Sequence, residues 1–114
     1  VRLSQQVTLE NPPSNARLLL HGPHFALARA FANGVEAGVA AWAPYEIPLG
    51  NLLRDGENTV EIELVGTLRN LLGPHHLRQG DGEGVGPDAF RRRPDWTDDT
   101  ILVPFGIDGA EIRW

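Results

Sequence analysis

An antiparallel β-sandwich or jelly roll is the fold class that this 114-residue sequence predicts. Three observations carry it: short runs alternate apolar and polar residues, Asn-Gly, Asp-Gly and Pro-rich turn signals separate them, and helical periodicity is nearly absent. The length suits one domain and is too short for two, so residues 1–114 are expected to form a single all-β unit.

The elements follow in order. Val1, Leu3, Val7 and Leu9 alternate with Arg2, Ser4, Gln6, Thr8 and Glu10, the period-two mark of a half-buried strand, which Asn11 to Asn15 with two prolines break. Ala16 to His21 is a short apolar strand closed by Gly22-Pro23. Phe25, Leu27, Arg29 and Phe31 then alternate with four alanines. Alanine favours helix, but the large residues recur at every second position and the segment ends in Asn33-Gly34, a strong hairpin signal, so a strand is predicted. Glu46 to Leu49 reads as extended, and Asn51 to Arg54 as one helical turn capped by Asn51. After the Asp55-Gly56 turn, Thr59 to Leu68 is the clearest strand, with Val60, Ile62 and Leu64 on one face and Glu61 and Glu63 on the other. Ile101 to Phe105 and Ala110 to Trp114 are read as two short strands around Asp108-Gly109. The inward positions expected are Phe25, Leu27, Phe31, Val60, Ile62, Leu64, Val103 and Phe105, and Trp42 is read as core in preference to a sugar-stacking platform.

Composition narrows the function. Charged residues are 22% and no apolar run is long enough to span a bilayer, which excludes a disordered tail and a helical membrane protein. Fifteen acids against ten bases give a net charge of -5, so a nucleic-acid partner is not expected. The absence of cysteine removes disulfides, thiolate zinc sites and a Cys nucleophile together, and leaves the compartment open between cytoplasm and secretion. No methionine and no leader pattern are present, which reads as a piece of a longer polypeptide. All bases are arginine, which reads as the coding bias of a GC-rich bacterium.

From Arg29 to Gly73 the signals fall in a familiar order: a strand into Asn33-Gly34, Gly38, the extended Trp42-Ala43-Pro44-Tyr45, an amphipathic turn, Asp55-Gly56-Glu57-Asn58, and a strongly alternating strand. This order resembles the galactose-binding-like jelly roll that forms the sugar-binding domain of family-two glycoside hydrolases. It departs from that pattern at Gly50-Asn51, where an Asp-Val-Thr-like start is more usual. Downstream, Thr67 to His76, Gly86-Pro87-Asp88, Phe90, Trp96 and Val103 to Ile107 look like the terminal accessory module of large bacterial glycoside-hydrolase-like proteins. Over about residues 1–112, the resemblance implies a non-catalytic module whose partners are carbohydrate and the neighbouring domains of a parent glycosidase. The alternative is a purely structural packing module with no ligand of its own.

The segment from Gly73 to Trp96 is the one connection long enough to build a wall at an end of a sandwich. It carries His75, His76, Asp81, Glu83, Asp88, Arg91, Arg92, Arg93 and Trp96, aromatic faces beside groups that bind hydroxyls. The leading ligand contacts are therefore His75, His76, Arg92 and Trp96, with Tyr45 as a neighbour. No catalytic residue is assigned: Ser4 and Ser14 lack a nucleophile-elbow setting, and Glu61 and Glu63 belong to a solvated sheet face. No metal or cofactor is assigned either. Adjacent histidines in an extended segment point to opposite sides, and the lobe lacks calcium-loop spacing, although structural calcium held by scattered carboxylates leaves no linear motif.

Overall fold

The computed structural model describes residues 1–79, 86–91 and 94–114. Two compact units emerge, one from Val1–Gly66 with Phe105–Trp114 and one from Thr67–Pro104.

The first unit is a β-sandwich, as the alternating runs predict. Strands β1 (Arg2–Leu9), β2 (Arg17–His21), β3 (Leu27–Ala32), β4 (Val35–Ala40), β5 (Glu46–Pro48), β6 (Gly56–Val65) and β7 (Gly109–Arg113) form two antiparallel sheets. One has the order β1-β6-β3-β4 and the other β5-β2-β7. The core lies between them, where Leu18, Leu20, Ile47 and Leu49 meet Val60, Ile62 and Leu64. Among the described residues no helix is long and apolar enough to cross a membrane.

Local chemistry sets the turns. Asn33 (φ 52°) and Gly34 (φ 81°) adopt the left-handed pair that joins β3 to β4, as the dipeptide predicts. Asn58 sits almost fully buried at the start of β6 and has all its hydrogen-bonding capacity used. Its amide donates to the carbonyls of Arg54 (2.7 Å) and Gly56 (3.0 Å), and its oxygen accepts from Arg54 N–H and the Asn33 amide, both at 2.9 Å. The Asp-Gly-x-Asn phrase is therefore a fastener that ties two turns to the head of β6.

The structure corrects several expectations. In β3 the buried residues are Ala28, Ala30 and Ala32, while Leu27, Arg29 and Phe31 lie on the outer face. The reason is volume: across the ladder these alanines pair with Leu64, Ile62 and Val60, and the opposite sheet inserts fully buried Ile47 and Leu49. A second row of large side chains would not fit. Phe31 instead lies beneath two guanidiniums, those of Arg2 (4.8 Å) and Arg29 (5.4 Å). Phe25 is half-buried against the core. The turn after β5 is a 3-10 turn, Gly50–Leu52, preceded by Leu49 without a side-chain cap, so Asn51 caps nothing.

Residues 101–105 form no strand. The Asn70 side chain takes both backbone groups of Val103, donating to its carbonyl and accepting from its N–H at 2.9 Å each, as a neighbouring strand otherwise would. Val103 is only half-buried and Phe105 is 45% exposed, so neither is an inward core position. Trp42, expected in the core, is 77% exposed on the bend between β4 and β5. Ala40, Ile47 and Leu49, on the strands and turn that flank that bend, are buried in the core without it.

Candidate functional site

The second unit holds most of the residues singled out as ligand contacts. It opens with a single helical turn, α1 (Arg69–Leu72), and continues into an extended segment whose Leu77 is buried opposite Trp96 in an isolated antiparallel bridge. Backbone bonds from Thr97 N–H to the His76 carbonyl (2.8 Å) and from Arg78 N–H to the Asp95 carbonyl (3.1 Å) hold the two segments together. A third runs from Ile101 N–H to the His75 carbonyl at 2.6 Å.

Both histidines are engaged by carbonyl groups, which fixes one protonated nitrogen on each ring. His75 Nε2 lies 3.2 Å from the Asn70 carbonyl and must carry the proton to donate there. His76 Nδ1 lies 3.1 Å from the Thr97 carbonyl and 3.2 Å from that of Asp99, so Nδ1 carries a proton and donates to them. The adjacent rings thus serve different partners, as alternation in an extended segment requires. Buried Thr97 braces the carbonyl cluster: its hydroxyl donates to the Asp99 carboxylate and accepts from Asp99 N–H, both at 3.2 Å.

His76 and Trp96 stack, with ring centroids 4.7 Å apart and planes 27° from parallel. Twenty residues of sequence separate them. Both rings are half-buried, and exposed Asp99 meets His76 through its backbone carbonyl; an aromatic face beside polar groups is a surface on which a pyranose ring can lie.

The structure brings His75, His76 and Trp96 into one pair of extended segments. Tyr45 belongs to the sandwich unit, where its ring meets Phe25 edge-on at 5.5 Å and packs against the core. Arg92, like Asp81, Glu83 and Arg93, lies outside the described residues. Among the described residues no three His, Cys, Asp or Glu side chains gather as a metal site.

Most glutamates of the sheets form ion pairs. Glu61 faces Arg2 (3.5 Å), Glu46 faces Arg17 (3.7 Å), and Arg29 reaches both Glu36 and Glu63. Glu36 is what chiefly raises the Arg29 pKa above its ordinary value, by hydrogen bond and by charge. Trp42, favoured as core over a sugar-stacking platform in the sequence, has an exposed indole that is the largest uncovered aromatic of the sandwich unit alongside Trp114. The signal available was its place between Ala41 and Ala43-Pro44, a bend rather than an alternating strand.

The chain resembles one stretch of a glycoside hydrolase. It matches the rhamnosidase from Novosphingobium sp. PP1Y with a TM-score of 0.67 and 27% identity, covering 97% of this chain and 10% of that one. No family model and no curated protein matches. The similarity associates the chain with a glycosidase and agrees with the β-sandwich described above.

Proposed function

We propose that the chain is a carbohydrate-recognising accessory module, itself non-catalytic, of a larger glycoside-hydrolase-like protein, and that its sandwich is of the galactose-binding-like type. The observation that carries the reading is the match of nearly the whole chain to a tenth of a rhamnosidase. The stacked His76 and Trp96 rings supply the sugar surface. The polar groups beside it are assigned to His76 and to Asp99, whose backbone carbonyl meets His76 Nδ1 at 3.2 Å, and His75, held by the Asn70 carbonyl, stiffens the segment that presents them.

Titration calorimetry with L-rhamnose, methyl rhamnoside, galactose and rhamnose-containing oligosaccharides tests this. Trp96→Ala is expected to weaken binding about 10-fold or more, the effect of losing a packed aromatic anchor, while Glu61→Ala on the sheet face leaves it unchanged. Binding by wild-type protein that survives loss of Trp96, or no binding to any of these sugars, overturns the reading.

A second reading rests on a separate observation. Leu68, Leu71 and Leu72 on α1 and its leading turn are exposed by 63 to 74%, and Phe90, close to Gly73 at the end of α1, by 55%. Such an apolar group suits packing against a neighbouring domain of a longer polypeptide. On that reading no sugar binds, and Leu71→Ser with Leu72→Ser raises the solubility of the chain without changing its fold.

A further inference from the structure

The two long sides of the sandwich are built differently. On one, β4 and β5 close on each other. On the other, the edge strands β1 and β7 leave a cavity of about 510 Å³ between the sheets, lined chiefly by apolar side chains such as Leu3, Val7, Leu18, Ile62 and Ile112. We propose that this side is a self-association surface, on which two copies pair β1 against β1 about a twofold axis. Their four-stranded sheets then form one continuous sheet, and the two apolar grooves close on each other.

The unpaired backbone groups of β1 argue for a strand as the occupant. The Val1 amino group donates to the Leu64 carbonyl (2.9 Å) and Leu64 N–H to that of Val1 (2.7 Å), so Val1 and Leu64 exchange both bonds. The β1–β6 register runs unbroken from Arg2–Glu63 to Leu9–Gly56. In an antiparallel ladder, Leu3, Gln5 and Val7 therefore bond β6 in the same way, and Arg2, Ser4, Gln6 and Thr8 direct their N–H and C=O groups to the free edge. A lipid or a sugar in the groove would leave that row to water, apart from the Gln6 carbonyl, which accepts from Gln5 Nε2 at 3.1 Å and would exchange that bond for a strand's. A strand satisfies the row and fills the groove together.

The edge is also unguarded. Strand β1 has no proline, no lysine and no bulge, and Arg2 to Gln6 are exposed. The opposite edge of the same sheet is different, since β4 pairs with β3 through a register shift between Ala30 and Phe31.

The sequence of β1 selects a second copy. Outward-facing residues must pair with outward-facing residues, which allows a register centred on Gln5. Leu3 then faces Val7 of the second copy and Val1 faces its Leu9 on the groove side, while Ser4 faces Gln6 and Arg2 faces Thr8 on the outer side. Apolar meets apolar, polar meets polar, and Gln5 meets itself on the axis. The strand's one charge, Arg2, is already held by Glu61, so no like charges are opposed.

The chain contains no cysteine, which makes a single-cysteine series a clean test of this register. Gln5→Cys places two thiols opposite each other in a non-hydrogen-bonded pair and should form a disulfide-linked dimer under mild oxidation, whereas Ser4→Cys, Gln6→Cys and Val35→Cys should not. In sedimentation velocity, wild-type protein should show a concentration-dependent dimer. Ser4→Pro removes an outward N–H and leaves the β6 ladder intact, so it should weaken the dimer on the order of tenfold or more, with circular dichroism unchanged. A wild-type chain that stays monomeric, equal crosslinking at all four cysteine positions, or a dimer indifferent to Ser4→Pro overturns the proposal.

Discussion

The closed and open sides of the sandwich make an instructive pair, because the same two sheets border both. On the closed side, Gly38 of β4 has no Cβ, and one placed there would stand 3.2 Å from Ile47 Cγ2 of β5, so the sheets meet over small residues. Ala28, Ala30, Ala32 and Ala40 continue that small surface, and Ile47 and Leu49 fill what it leaves. On the open side, Leu3 is 41% exposed and Val7 only half-buried, although both belong to the inward row of a long strand. Closure thus depends on shape complementarity rather than on the amount of apolar side chain. The open side also carries large apolar residues, but there they lack a partner surface.

The largest effect should come from breaking the closed side. Ile47→Ala removes a side chain with no exposed surface and leaves a cavity ringed by alanines and a glycine that cannot move in to fill it. Urea denaturation should show a loss of about 3–4 kcal/mol, toward the upper part of the range for such truncations. A loss below about 1.5 kcal/mol would mean that the site collapses easily, and the contrast between the two sides would fail.

On the open side, Leu3→Ala should cost about 1 kcal/mol or less in dilute protein, since much of the side chain already meets water. Its larger consequence should appear in the concentration dependence of assembly. Equal costs for Leu3→Ala and Ile47→Ala would show that the groove is already as well filled as the core.

The same contrast explains what could be read in the sequence. Strand β6 was legible because it has one wet and one dry face, so the local alternation records the burial, and β1 because its apolar residues alternate even though its inward row is left largely exposed. Asn33-Gly34 was legible because its backbone needs φ values that few residues accept. The facing of β3 was not, because whether Ala or Phe turns inward depends on Ile47 and Leu49 arriving from the other sheet, a matter of volume that no local pattern encodes. Residues 101–105 carry a strand-like pattern, yet a single side chain, Asn70, supplies what a strand would have supplied. At the candidate site, the residue types of the lobe were readable. The stacking of His76 on Trp96 was not, since it arises from a bridge that sets Leu77 opposite Trp96.

The smallest expected effect concerns charge at the open edge. Glu111 of β7 sits beside Arg113 of the same strand and 3.2 Å from His21 Nε2 of β2. Desolvation is the largest single influence and pushes its carboxyl up, but Arg113 and His21, by charge and hydrogen bond together, outweigh it and hold the pKa below the ordinary glutamate value. A carboxylate depressed on folding contributes stability that is present above its unfolded pKa and is lost as the pH falls through the folded one. The loss should therefore begin as the pH falls through the ordinary glutamate value and be complete only below the depressed folded one. These groups are exposed, so the contribution should be slight and should shrink in salt. Glu111→Gln should flatten the acid limb of a stability-against-pH profile at low ionic strength and leave neutral stability nearly unchanged. If the variant instead loses as much as Leu3→Ala at neutral pH, the β7 edge depends on this ion pair, and the open side is held by charge as well as bordered by it.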